Sequence, residues 1–207
     1  MEKRLIVFEA PDHCGKTTLA KKLTDYLNDN GIKAVFTFQP GDVQYGEHAS
    51  ILADFCKKKT YNLDPLSNLF AFLLDRSEHT AKFVFRKLEE GYVVVCDRWW
   101  YSTISYQFYG KQLLEKYNMN LEFASWMNRL ASHNLEPDIV FYLVREQEKV
   151  DNTENDKEDI FESAGTLFKK RVLRGYEDQY RDNGFVKIEV DDDVEKTFSR
   201  ILEKLEE

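Results

Sequence analysis

The chain has 207 residues, of which 43% are hydrophobic and 14% aromatic, enough for one folded domain with a sizeable core. Its formal net charge of −8 argues against proteins that hold nucleic acid or an anionic membrane by bulk electrostatic attraction. The sequence shows neither a charged-then-apolar pattern nor an apolar run long enough to span a bilayer, so we expect neither a leader nor a transmembrane segment. The three cysteines, Cys14, Cys56 and Cys96, are odd in number and lack metal-ligand spacing, which fits a reducing cytoplasm or nucleus.

The first element in chain order is an apolar run, 5–8, that leads into a tight loop and then a helical pattern. The loop closes on Gly15-Lys16-Thr17-Thr18, and leucines follow at helical spacing. This context is typical of a loop that cradles phosphate between a buried strand and a helix, whereas an isolated Gly-Lys-Thr turn would be unremarkable. The pattern has one departure, because Ala10 stands where the motif asks for glycine. We expect an alanine to be tolerated there if its φ is negative.

The chemistry of such a loop assigns roles to its residues. Backbone N–H groups and the helix N-terminus face the phosphates, so 13–18 are candidate ATP-binding residues. Lys16 supplies a point charge for the outer phosphates, and Thr17 offers its hydroxyl to Mg²⁺. The candidates are His13, Cys14, Gly15, Lys16, Thr17 and Thr18.

Short apolar runs and helical patterns alternate along the rest of the chain. The runs 4–8, 34–38, 92–96, 138–144 and 185–190 predict strands. Helices are predicted over 65–90, begun by Asp64 and ended by Gly91, and over 193–205. In the first of these, we expect a buried stripe formed by Leu66, Leu69, Phe70, Leu73 and Leu74.

Strand–helix alternation of this kind implies an α/β fold. The expected architecture is a five-stranded parallel sheet with helices on both faces, in a single domain over 1–207. Ligands bind such sheets at the carboxyl ends of the strands. Asp97 and Arg98 directly follow the central run 92–96, so Asp97 is a candidate Mg²⁺-organising carboxylate rather than only half of a solvated ion pair.

Five segments together give the chain a specific resemblance, in order and at the right spacings. It resembles the thymidylate kinases, with the likeness closest to their eukaryotic and poxviral branch. The segments are the phosphate loop 8–18, the helix segment 72–79 with its aromatic and arginine, the Asp-Arg-aromatic signature 97–107, Pro137-Asp138 before the strand at 141–143, and Asp159-Ile160-Phe161-Glu162.

The resemblance implies a P-loop kinase fold with a short lid at about 146–162, ATP and Mg²⁺ as cofactors, dTMP as acceptor, and a homodimer. It gives Lys16, Asp12 and Arg98 catalytic roles, with Arg98 on the acceptor phosphate and Asp12 on Arg98 or the sugar hydroxyl. Phe72 would stack on the base, although a helix aromatic is about as often a core residue. Tyr106 would exclude a ribose 2′-hydroxyl. The implied acceptor-binding residues are Asp12, Phe38, Phe72, Arg76, Arg98, Ser102, Tyr106, Gln107 and Phe161.

Two departures from the family pattern keep alternative functions open. The stretch 36–42 lacks the arginine that the family places after its second strand. His13 stands where a loop cation is expected, and the lid region 146–162 holds eight acidic residues and two lysines. The leading hypothesis is phosphorylation of dTMP to dTDP by ATP. The alternatives are a kinase for another deoxynucleoside monophosphate and a nucleotide-binding homologue with weak or lost catalysis.

Overall fold

A computed structural model describes residues 4–145 and 165–206, and the predicted lid and Phe161 lie outside these ranges. Each of the five predicted strands is present within one residue of its expected bounds. Their bounds are β1 (Leu5–Glu9), β2 (Ala34–Phe38), β3 (Val93–Asp97), β4 (Ile139–Val144) and β5 (Val186–Glu189). All neighbouring pairs are parallel, in the order β2-β3-β1-β4-β5, which confirms the predicted sheet.

Helices connect and cover the strands. Among the described residues, none of the helices is long and apolar enough to cross a membrane. Two segments, Thr80–Val84 and Ile104–Gly110, are π-helical, and Val43–Tyr45 and Lys59–Tyr61 are 3₁₀ turns. The α-helices are α1 (Lys16–Asp29), α2 (His48–Lys57), α3 (Pro65–His79), α4 (Phe85–Glu89), α5 (Trp100–Thr103), α6 (Leu113–Lys116), α7 (Leu121–Ala131), α8 (Thr166–Asn183) and α9 (Val194–Glu206).

The hydrophobic core lies on both faces of the sheet. Successive β1 residues point to opposite faces, so Leu5 and Val7 belong to one apolar cluster while Ile6 and Phe8 belong to the other. The second cluster includes Leu19 and Leu23 of α1 and Phe198 of α9. β1 and β3 are buried along their whole length, as expected of central strands covered on both sides.

The predicted helix over 65–90 is present, but it is not α-helical throughout. Its ends are as expected: the Asp64 side chain accepts a hydrogen bond from Leu66 N at 2.9 Å, and Gly91 has a φ of 85°. Between α3 and α4 the helix widens into the π segment at 80–84. A π turn adds a residue to the repeat, so the side chains after it fall on a different face from the one that a 3.6-residue period predicts.

The predicted burial of the α3 stripe is partly wrong. Leu69 is buried, but Phe70 and Leu74 are 53% and 51% exposed. They face outward because no other described part of the chain covers this side of α3; an apolar groove between α3 and α7 is open there. Phe83, in the π segment that follows α3, is in contrast only 2% exposed and stacks on the His79 ring.

The sheet topology brings the strand ends of interest together. In register, Phe8 of β1 lies beside Asp97 of β3, and Phe38 of β2 lies on the other side of Asp97. The loop after β1, the chain after β2 and the Asp97-Arg98 pair therefore meet at the carboxyl edge of the sheet.

Candidate active site

The loop between β1 and α1 has the backbone of a phosphate cradle. His13 and Gly15 both adopt left-handed conformations, with φ values of 66° and 76°, so the chain curls before α1 begins at Lys16. Gly15 has this conformation at low cost because it has no Cβ. Ala10 is fully buried and does not have a positive φ, as its tolerance in the loop requires.

Lys16 lies inside the curl rather than in solvent. Its Nζ donates to the Pro11 carbonyl at 2.7 Å, and its side chain is buried. Burial, assisted by the nearby Arg98, lowers the pKa of Lys16 to about 8. The loop therefore holds a cation at a site that disfavours charge until an anion arrives.

Thr17 and Asp97 are brought together as the sequence predicts. The Thr17 hydroxyl donates to Asp97 Oδ2, and Asp97 Oδ1 is buried without a hydrogen-bond partner among the described residues. A hydroxyl beside a carboxylate oxygen with unused acceptor capacity suits Mg²⁺, which takes few protein ligands and keeps waters and substrate phosphates. The donor set fits the metal, although no group of three or more acidic, histidine or cysteine side chains that could hold a metal occurs in the described ranges.

A cavity of about 200 Å³ lies beside the phosphate loop. Its walls come from the loop, the chain after β2, α2, α3 and the helix that follows β3. The residues predicted from the sequence to bind the acceptor that line it are Asp12, Phe72, Arg76, Arg98, Ser102, Tyr106 and Gln107; the remaining lining residues are Gln39, Pro40, Lys57, Asp75, Trp99 and Thr103.

Arg98 lines the cavity and is hydrogen-bonded to the phosphate loop. It has a left-handed φ of 73°, which turns its side chain back under the loop. Its NH2 donates to Asp12 Oδ1 at 2.5 Å, and its NH1 donates to Ser102 Oγ at 2.9 Å and to Tyr176 OH at 3.0 Å. Burial alone would raise the pKa of Asp12, but Arg98, Lys16 and the hydrogen bond from Tyr106 lower it below its usual value. Asp12 is therefore an anion within this network at neutral pH.

Beneath Arg98 lies a buried carboxylate that the sequence reasoning missed. Glu9 accepts hydrogen bonds from Trp99 N at 2.7 Å and from Ser102 Oγ at 2.5 Å, and Tyr176 OH donates to it at 3.2 Å. Burial raises the pKa of Glu9, although Arg98 opposes that effect. An acidic residue at the end of an otherwise apolar strand is the signal that could have revealed it.

Arg76 of α3 is a second arginine in the wall of the cavity. It is 2% exposed; its NH1 donates to Gln39 Oε1 and its NH2 to Thr103 Oγ1 at 2.5 Å. Burial lowers the pKa of Arg76 to about 10, so it stays charged at neutral pH. Phe72, one helical turn earlier, lines the same cavity, as the four-residue spacing predicts.

One predicted acceptor contact, Phe38, does not line this cavity, and another, Phe161, is not among the described residues. Phe38 is 36% exposed and stacks on Phe36, while Gln39 and Pro40, the next two residues, line the cavity in its place. Lys57 of α2 lines the cavity although the sequence reasoning did not single it out, and it adds a cation to a site without the expected arginine after β2.

Comparison with known proteins identifies the family of this chain. The family model for thymidylate kinase matches residues 8–201. The chain belongs to the thymidylate kinase family. A thymidylate kinase of Coprothermobacter proteolyticus is 33% identical over 203 residues, 97% of this chain and 97% of the relative. One of Dehalococcoides mccartyi is 30% identical over 203 residues, covering 97% and 94% of the two chains.

A solved thymidylate kinase supports the fold independently. The crystal structure of the Ehrlichia chaffeensis enzyme superposes with a TM-score of 0.74 over 97% of both chains, at 24% identity. The predicted P-loop kinase fold and the thymidylate kinase family are thus confirmed. The relatives named here are bacterial, and a closer likeness to the eukaryotic and poxviral branch stays a prediction.

Proposed function

We propose that this thymidylate kinase family member transfers the γ-phosphate of ATP to dTMP, giving dTDP. The observation that carries the proposal is one cavity beside a phosphate loop that is lined by two arginines, Arg98, which is bonded to Asp12 of the loop, and Arg76 of α3. An anionic phosphate suits the first arginine. A base carbonyl suits the second, because a guanidinium can only donate hydrogen bonds.

Charge stabilisation around the transferred phosphoryl group would come from residues of the loop. Lys16 would move from the Pro11 carbonyl onto phosphate oxygens, and Arg98 would hold the acceptor phosphate. Thr17 and Asp97 would hold Mg²⁺, which when bound offsets negative charge on the nucleotide phosphates. Asp12, released from Arg98 by the incoming phosphate, would be free to accept a hydrogen bond from the sugar hydroxyl.

The base preference follows from hydrogen-bond polarity. Position 4 of thymine is a carbonyl acceptor, whereas cytosine has an amino donor there. Arg76 is held by Gln39 and Thr103 as a pure donor, so it would pair with thymine and oppose cytosine. Tyr106, whose OH donates to Asp12 at 2.8 Å, would crowd a ribose 2′-hydroxyl and so favour deoxyribose.

A coupled assay with ATP, Mg²⁺ and a panel of monophosphates tests the proposal. We expect turnover of dTMP above dUMP, dCMP and dGMP, and little turnover of ribonucleotides. Faster phosphorylation of dCMP or dGMP would contradict the choice of acceptor and favour a different deoxynucleoside monophosphate kinase. ATP binding without turnover of any acceptor would contradict the kinase itself and favour a nucleotide-binding homologue.

A homodimer is part of the same proposal, supported by an exposed apolar surface. Phe70, Leu74, Trp126 and Leu130 are each more than half exposed, and Phe70, Trp126 and Leu130 line the groove between α3 and α7. An uncovered apolar patch of this kind is typical of an interface. We expect a dimer mass by light scattering, and a monomer for Trp126→Glu. A wild-type monomer at micromolar concentration would contradict the proposal.

The proposal also covers the domain organisation and the cellular location. We propose a single kinase domain over 1–207, with the lid at about 146–162. A cytoplasmic location is supported by three cysteines that are all free and buried.

A further inference from the structure

A chain of buried polar side chains leads away from Arg76, and it begins with Gln39 in the wall of the cavity. His79, one turn after Arg76 on α3, is fully buried, and so is Thr37 of β2. Gln39 and Asp42, which follow β2, are 5% and 2% exposed. None of these four residues is predicted from the sequence to bind the acceptor.

The hydrogen bonds of this chain have only one consistent direction. Asp42 Oδ1 accepts the backbone N–H of Gln44 at 3.0 Å, and Asp42 Oδ2 lies 2.6 Å from the Thr37 hydroxyl, which donates to it. Because the single Thr37 proton is used in this way, Thr37 Oγ1 must accept from His79 Nε2, at 2.6 Å. A neutral histidine that carries its proton on Nε2 is an acceptor at Nδ1.

The other nitrogen of His79 then fixes the amide of Gln39. His79 Nδ1 is 2.8 Å from Gln39 Nε2, which donates to it. Gln39 Oε1 is therefore turned toward Arg76 and accepts from its NH1. If the amide were rotated by 180°, its NH₂ would face the guanidinium, and two donors would oppose each other.

We infer that His79 is a positioning residue for acceptor recognition: through Gln39 it holds Arg76 in the orientation that presents a donor to the base. The inference deepens the proposed function and rests on it for the identity of the base. Burial and the nearby Arg76 lower the pKa of His79 to about 3, so the neutral ring persists across the working pH range.

Binding measurements on variants at position 79 test this inference. His79→Leu keeps an apolar side chain next to Phe83 but removes the acceptor that orients Gln39. His79→Gln keeps one acceptor and one donor and serves as the conservative rescue. Thr80→Ala is the matched control, because Thr80 is also fully buried and its hydroxyl has no partner among the described residues.

The readout is the calorimetric affinity for dTMP and for dCMP, which does not require turnover. For His79→Leu we expect the affinity for dTMP to fall about tenfold, which corresponds to the loss of roughly one hydrogen bond. The ratio of the dTMP affinity to the dCMP affinity should fall by a similar factor. ATP affinity should change less than about twofold, because this chain of polar side chains does not contact the phosphate loop. His79→Gln should restore most of the preference, and Thr80→Ala should retain it.

A second readout uses the unmodified protein, so it stands even if a variant fails to fold. Nitrogen chemical shifts of the His79 ring should report the Nε2–H tautomer, unchanged between pH 6 and 8. An Nδ1–H tautomer would overturn the inference. So would a folded His79→Leu variant whose ratio of dTMP affinity to dCMP affinity is unchanged. Absence of phosphoryl transfer with these binding results intact would instead count against the proposed function.

Discussion

ATP binding should weaken as the pH rises through about 8, because Lys16 then loses its proton. The ammonium group is buried in the phosphate loop, and this burial lowers its pKa to about 8. The protonated fraction falls from about nine-tenths at pH 7 to about one-tenth at pH 9 for such a group. If only the ammonium form binds the outer phosphates, the dissociation constant for ATP rises about tenfold over this range.

Calorimetric titration of the free protein with ATP at fixed Mg²⁺, from pH 6.5 to 9.5, measures this effect. The nucleotide does not contribute to it above neutrality, since the second phosphate pKa is about 6. Lys16→Arg is the matched control: a guanidinium keeps its charge to pH 12, so its affinity should be lower but independent of pH. Equal wild-type affinities at pH 7 and pH 9 would refute the argument that the loop lowers the pKa of Lys16.

Three further outcomes are expected. Lys16→Ala should lower kcat by about a thousandfold or more, on the scale of charge-stabilising groups in such sites; a near-normal rate in the coupled assay would remove Lys16 from the mechanism. His13→Arg should raise kcat by about tenfold or more if the loop lacks a transition-state cation, and an unchanged or lower rate would count against that deficiency. Gly175→Ala places a Cβ 2.9 Å from the Ser105 Cα, so urea unfolding should show a loss of about 1–3 kcal/mol; wild-type stability would contradict the close approach of the two helices.

The strands and the phosphate loop could be predicted from the sequence because local patterns determine them. Buried parallel strands are short apolar runs, and the loop is a contiguous motif. The juxtaposition of Thr17 with Asp97 likewise followed from the rule that ligand groups lie at the carboxyl ends of parallel strands.

The burial of α3 could not be predicted in the same way. Periodicity marks Phe70 and Leu74 as apolar but does not say whether the surface they face is covered by this chain. The π segments at 80–84 and 104–110 could not be predicted either, because an added residue per turn produces no distinct pattern of apolar residues in the sequence.

The partners of the key residues were the least predictable part of the site. Glu9, Gln39 and His79 act through contacts between residues that lie far apart in the sequence, and one chain offers no pattern for such pairs. Gln39 and His79, for example, are forty residues apart and bind through side chains alone.

The hydrogen bonds of Arg98 bear on how the product leaves. Its guanidinium is held by hydrogen bonds to three side chains of the protein itself, Asp12, Ser102 and Tyr176, so little conformational entropy is lost when it binds a phosphate. The phosphate must displace the Asp12 carboxylate, so one anion is exchanged for another and the net gain in free energy is small. When the phosphate leaves, the Asp12 carboxylate can accept the hydrogen bond from the guanidinium again. Such an exchange keeps residence times short and favours rapid release of the diphosphate.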